Sequence, residues 1–287
     1  MKAITYSLFG YGKATPQNCF EFDTYCRGLM VNVRFNRILY PNWINVLNLD
    51  YSTYNSPYRS IFDWLQNKGL IVMNLEDDDQ ELCSAMLWRF KSGLLYIHPE
   101  WAYTHVLNRD IDSIATYREA QAVQQWIGEN KAIHCITDSI SHNIPMMGGM
   151  IGFKPADLGS IFNISAPKAW ESLIANSAGI NFSRKGSDQE FLNRVIYPAC
   201  YQSATEHFVL GMKRNVPEEN GRHYSIPDIE VENVDPVFRL TNDCAGHIGA
   251  AGFYEPPTVK FLKYSDPYRN EYTEIERKFP KLFYWSA

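Results

Sequence analysis

Ala3-Ile4-Thr5-Tyr6-Ser7-Leu8-Phe9 alternates apolar and polar side chains as a β-strand does, and Gly10-Tyr11-Gly12 breaks it into a loop. The next sixty residues decide the fold. From about Gln17 to Leu39 the only internal breaker is Gly28, and Phe20, Tyr25, Leu29, Val33, Phe35 and Leu39 recur near a helical period. Trp43 to Leu49 reads as a second strand. Pro57 suits the first turn of a helix over Tyr58 to Leu65, Gly69 ends it, and Leu70-Ile71-Val72-Met73-Asn74-Leu75 is a third strand. Strand, helix, strand, helix, strand predicts an α/β fold: a mixed, mostly parallel sheet with helices on both faces.

Further along, Glu76-Asp77-Asp78-Asp79 precedes a helical stretch from Leu82 to Phe90 and reads as a solvated cap that complements the helix dipole. His105 to Asn108 forms a short strand running into Arg109-Asp110-Ile111-Asp112-Ser113. Thr116, with Glu119 three residues on, predicts a capping box for a helix through Trp126 to Gly128. Then come a strand over Ile133 to Ile136, a turn and strand over Met147 to Gly152, and helices near Lys168 to Asn176 and Asp188 to Ile196. Beyond Pro256 the chain is rich in Pro, Tyr and Lys, which predicts a core domain over residues 1–255 and an extended C-terminal segment over 256–287, packed on or beside the active site.

With 287 residues, 45% of them hydrophobic and 21% charged, the chain is long enough for one large core, and 17 Gly with 15 Pro exclude a collagen-like or low-complexity class. No apolar run approaches the roughly 20 residues of a spanning helix, and the apolar start is too short for a signal peptide, so the expected setting is the cytoplasm. Six scattered cysteines without a C-x-x-C pair fit reduced thiols. A net charge of -5 weighs against a protein held by a nucleic-acid backbone.

Asp110-x-Asp112 is the most informative local feature, because open α/β sheets bind ligands beyond the carboxyl ends of their strands. Two carboxylates there suit a hard divalent cation whose other ligands come from a nucleotide diphosphate. Taken in order, Arg109-Asp110-Ile111-Asp112-Ser113, Arg118-Glu119, Asp138, His142, Met146 to Gly152 and Gly186-Ser187-Asp188-Gln189-Glu190-Phe191-Leu192-Asn193 resemble nucleotide-sugar-dependent glycosyltransferases of the GT-A fold. Asp188 to Asn193 looks like the D-Q-x-x-L-N signature of the retaining family 8 enzymes. His247-Ile248-Gly249 is similar to that family's C-terminal H-x-x-G segment, one residue shorter.

The resemblance implies a role for each match. Asp110, Asp112 and His247 would ligate Mn²⁺ or Mg²⁺ on the donor diphosphate, which screens the charge left on the phosphate when the sugar's C1 bond breaks. Arg89 would reach the donor, Gly148 and Gly149 would let the backbone approach the donor sugar, Asp188 would bond sugar hydroxyls, and Gln189 would lie near C1. The strand end at Ser7 and Gly10 would hold base and ribose, and Lys260 or Lys263 would supply a phosphate-binding charge. The family's Arg-Asp-His-Pro-x-x-His stretch is replaced by Thr137-Asp138-Ser139-Ile140-Ser141-His142, and its terminal Lys-Pro-Trp is absent.

The implied activity is transfer of a sugar, with retention, from a UDP-linked or other nucleotide diphosphate donor to a hydroxyl acceptor. The acceptor is a glycan or, through the basic and aromatic stretch from Lys260 to Trp285, a hydroxymethylated DNA base. A non-catalytic sugar-nucleotide or glycan-binding module on the same scaffold is the rival class. A dinucleotide-binding dehydrogenase is the weaker rival, because Gly10-Tyr11-Gly12-Lys13 lacks the third glycine at the required spacing.

Overall fold

Eight strands form one sheet in the order β3-β2-β1-β4-β6-β5-β7-β8. They are β1 (Lys2–Leu8), β2 (Trp43–Asp50), β3 (Val72–Glu76), β4 (His105–Arg109), β5 (Ile133–Thr137), β6 (Met150–Phe153), β7 (Ala204–Phe208) and β8 (His223–Ser225). In this computed structural model the described residues are 1–11, 19–77, 84–94, 103–137, 144–163, 172–175, 177, 179–208, 223–225 and 277–278. Every strand pair is parallel except those made by β6, which lies antiparallel between β4 and β5. The mixed, mostly parallel sheet expected from the sequence is the one found.

Alternation along β1 sorts the layers, because successive strand side chains point to opposite faces. Ile4, Tyr6 and Leu8 join Leu47 and Leu49 of β2 in a core with helices α1 (Cys19–Leu39), α3 (Arg59–Asn67) and α5 (Tyr117–Glu129). On the opposite face, Ile133 and Cys135 of β5 and Ile151 and Phe153 of β6 pack with Phe90 of α4 (Trp88–Leu94), Leu158 of α6 (Pro155–Ile161) and Phe191 of α7 (Ser187–Phe191). Helices therefore cover both faces. A four-residue helix, α2 (Tyr51–Tyr54), follows β2 directly, capped by Asp50, whose carboxylate accepts from Thr53 N–H at 2.9 Å.

Several local expectations change. Glu76 ends β3 and pairs with Lys91 of α4 at 2.6 Å instead of capping a helix. Thr116 does cap α5, its hydroxyl accepting from Glu119 N–H at 3.2 Å, but the Glu119 carboxylate turns to Arg109. The helix read over Asp188 to Ile196 starts one residue earlier as α7, loosens into a π turn over Leu192–Ile196, and resumes as α8 (Tyr197–Cys200). Asn193 accounts for the position of that turn, as shown below. Strand β7 carried no apolar signal because its buried residues Thr205, Glu206 and His207 are polar and matched inside the fold, to Glu129, Tyr197 and Gln125 respectively. Residues 164–171 and all of the expected C-terminal segment save 277–278 lie outside the described residues. Among the described residues no helix is long and apolar enough to cross a membrane, and Cys26, Cys135 and Cys200 are buried and in no disulfide.

Candidate active site

The chain runs from β1 outward to β2 and β3, then returns to place β4 on the other side of β1. Parallel β1 and β4 diverge beyond their carboxyl ends at such a reversal of strand order, where open sheets form a ligand crevice. A cleft of about 480 Å³ opens there, lined by Ser7, Arg89, Asp110, Asp112, Asp188 and Gln189 among others. Six residues singled out from sequence thus meet in one space.

Arg89 is the centre of that space. It sits in the first turn of α4, and the neighbouring strand β1 positions it through the backbone: Ser7 Oγ accepts from Arg89 N–H at 3.0 Å, and Thr5 Oγ1 donates to the Arg89 carbonyl at 2.8 Å. The first bond satisfies one of the donors that a helix start leaves without an intrahelical partner. Its guanidinium then bridges two carboxylates, Asp110 through Nη1 and Asp188 through Nη2, the latter at 3.0 Å. Arg89 is only 7% exposed and Asp188 3%, whereas the Asp110 side chain is 45% exposed and faces the cleft. Burial alone would lower the guanidinium's proton affinity; the charges of Asp110 and Asp188 outweigh it and hold the pKa above its ordinary value. Arg89 is thus a fixed cation between two acids.

The Gly148-Gly149 turn presses on this group. A Cβ on Gly148 would lie 2.6 Å from Arg89 Nη2 and 2.9 Å from Asp188 Oδ2. One on Gly149 would lie 2.9 Å from the Asp110 backbone nitrogen and would meet its carboxylate as well. The two glycines are required here by close approach rather than by backbone angle. Asn193 holds the segment before them: its side chain accepts from Met146 N–H at 3.0 Å and donates to the Met146 carbonyl at 2.8 Å. It also donates to the Gln189 carbonyl at 2.8 Å, so the π turn that begins at Leu192 is locked to the helix carrying Asp188 and Gln189. One amide side chain, using donor and acceptor together, fixes the spacing between the glycine turn and α7.

Below the cleft, Arg109 and Glu119 form an ion pair with side chains 1% and 3% exposed. It ties the end of β4, and so Asp110 and Asp112, to the first turn of α5. Gly10, with φ of 82°, donates its N–H to Asp50 Oδ2 at 2.9 Å, which sets the loop after β1 at the rim.

Asp112 is close enough to Asp110 to sense its charge. Burial first, and the Asp110 charge second, raise the Asp112 carboxyl above its ordinary value. Two crowded acids with a single guanidinium as counter-charge form a donor set that suits a hard divalent cation. Among the described residues no third His, Cys, Asp or Glu completes a cluster with them. His247 and Lys260, with Lys263, Asp138 and His142, lie outside the described residues.

Sequence reasoning missed three contributors. Lys185 lines the cleft next to Gly186, Asp50 buttresses the loop after β1, and Asn193 was read only as a motif letter. A D-x-D search finds ligands; it does not find the residues that hold them.

Among solved structures, the glycosyltransferase GlyE of Streptococcus pneumoniae TIGR4 overlaps at 14% identity and a TM-score of 0.39, covering 72% of this chain and 45% of its own, so the chain spans less than half of GlyE. A protein of Desulfovibrio desulfuricans G20 assigned as a nucleotide-diphospho-sugar transferase overlaps at 13% identity and a TM-score of 0.40, covering 94% of this chain and 97% of its own. Rv0371c of Mycobacterium tuberculosis H37Rv overlaps at 11% identity and a TM-score of 0.33, covering 67% of this chain and 96% of its own. No family model matches the chain, and no curated protein matches it. Overlaps this loose leave the chemistry to the residues.

Proposed function

We propose that this chain is a metal-dependent glycosyltransferase that moves a sugar from a nucleotide diphosphate donor to a glycan hydroxyl, with retention at C1. The observation that carries the reading is the convergence of Asp110, Asp112, Arg89 and Asp188 on one cleft at the β1–β4 switch point, with the Gly148-Gly149 turn packed against Arg89, Asp110 and Asp188.

Asp110 and Asp112 would hold Mn²⁺ or Mg²⁺. When bound, the cation neutralises charge on the diphosphate leaving group. Arg89, positioned by β1 and paired with Asp110 and Asp188, would supply a fixed positive charge beside the donor, its planar fork spanning both carboxylates as a lysine could not. Gly148 and Gly149 let the Arg89, Asp110 and Asp188 side chains pack close against the backbone, and Asp188 keeps Arg89 oriented while Gln189, which lines the cleft, would lie near the reacting carbon.

The test is donor hydrolysis and transfer by the purified chain with Mn²⁺. Asp110→Asn and Asp112→Asn should each lower turnover by about 10²-fold or more, the loss typical of removing one electrostatic partner of the reacting group. Undiminished turnover in both would overturn the metal assignment. A thermal-shift screen of nucleotide sugars with Mn²⁺ identifies the donor, since a ligand at about 100 times its Kd adds about 2.7 kcal/mol to the state that binds it.

A further inference from the structure

Five charged side chains line the cleft: Asp110, Asp112 and Asp188 on one side of the ledger of charge, Arg89 and Lys185 on the other. The two cations differ in one respect. Both terminal nitrogens of Arg89 are engaged, Nη1 by Asp110 and Nη2 by Asp188. Lys185 is exposed and makes no hydrogen bond or ion pair among the described residues. It is nevertheless on a fixed base. Its neighbour Arg184 pairs with Glu190 at 2.7 Å, Asn181 closes the turn before it by accepting from Ser183 N–H at 3.1 Å, and Gly186, at φ of 86°, leads directly into the helix bearing Asp188 and Gln189.

We propose that Lys185 is a phosphate-binding side chain of this cleft. An ammonium on a long flexible stem, without a partner among the described residues yet anchored at its root, can meet an anion without first breaking a contact seen there, whereas Arg89 would have to leave a carboxylate. The role was expected of Lys260 or Lys263, and Lys185 supplies it from inside the described cleft. The proposal rests on the glycosyltransferase reading for the identity of the phosphate, which belongs either to the donor diphosphate or to a phosphorylated acceptor.

Binding of UDP, GDP and ADP, each against its own nucleoside, is measured by calorimetry for the wild type and for Lys185→Gln and Lys185→Arg. A second arm titrates inorganic phosphate onto the protein already saturated with the best nucleoside diphosphate. If the donor is the source, Lys185→Gln loses about tenfold or more of the diphosphate's advantage over its nucleoside, the scale of one charge-assisted hydrogen bond, and Lys185→Arg keeps it. If the acceptor is the source, nucleoside diphosphate binding is unchanged and the inorganic phosphate site is lost. Wild-type affinities retained by Lys185→Gln in both arms would overturn the proposal while leaving the glycosyltransferase reading intact. A wild type that binds no nucleoside diphosphate at all would overturn that reading, and the donor assignment with it. Unaltered melting temperatures in both variants exclude a folding defect, as expected for an exposed side chain without partners.

Discussion

At the residue scale the site depends on side chains that serve two neighbours at once. Arg89 joins Asp110 to Asp188, so Arg89→Lys keeps the charge but cannot span both carboxylates. Donor turnover should fall by about 10²-fold in that variant, with folding retained, and turnover equal to wild type would show that the fork is dispensable. Asn193 joins Met146 to Gln189. Asn193→Ala leaves buried backbone groups of the glycine segment unpaired and should cost about 1–3 kcal/mol in urea unfolding, together with a drop in kcat. Both residues were visible in the sequence as letters of a motif. Their work was not visible, because it is done on partners 99 and 47 positions away.

At the element scale, β6 is the inserted antiparallel strand, and its small residue is forced by a helix. A Cβ on Gly152 would lie 2.7 Å from the Trp126 ring of α5 and 3.1 Å from Leu107 of β4. Gly152→Ala should therefore destabilise by about 1–3 kcal/mol through overpacking, and Trp126→Leu in the same chain should recover part of it. Denaturation midpoints of the two variants check this; equal midpoints would mean that the ring moves aside freely. The joint between β4 and α5 is electrostatic. Glu119→Gln leaves Arg109 buried without its counter-charge, at a cost of about 3–5 kcal/mol, whereas Arg109→Met with Glu119→Leu should come back close to wild-type stability. The capping-box pattern placed the start of α5 correctly. It misassigned the Glu119 carboxylate because a buried guanidinium is a stronger partner than a backbone N–H.

At the scale of the whole molecule, two histidines pack on Trp126 and a third backs one of them. His134 stacks on the indole at 5.4 Å, His105 meets its edge at 5.0 Å, and His207 bonds His134 at 3.0 Å and Gln125 at 3.1 Å. Burial lowers His105 to about 4, with Lys2 and Lys154 adding to the shift against Asp157; burial lowers His207 to about 4, against Glu129. Burial, then His207, takes His134 well below its ordinary value. Each is neutral in the folded chain and protonates first in the unfolded one, whose histidines titrate near 6.5. The contribution is complete above that value and declines as the pH falls from 6.5 toward about 4. Urea midpoints at about pH 7.5 and about pH 5 should differ, since most carboxylates stay ionised across that interval. Identical midpoints would show that the histidines titrate alike in both states.

The alternation of β1, the strand and helix order over the first 75 residues and the D-x-D placed after β4 were all legible, because periodicity and turn chemistry are local properties of the chain. These determined the class of fold and which end of the sheet carries the cleft. Strand β7 was not legible, since a buried strand of Thr, Glu and His announces itself only through partners on other elements. Nor was the difference between Arg89, held between two acids, and Lys185, held by none among the described residues. Charge is written in the sequence, but whether a charge is already neutralised depends on what the tertiary structure brings within a few ångströms of it.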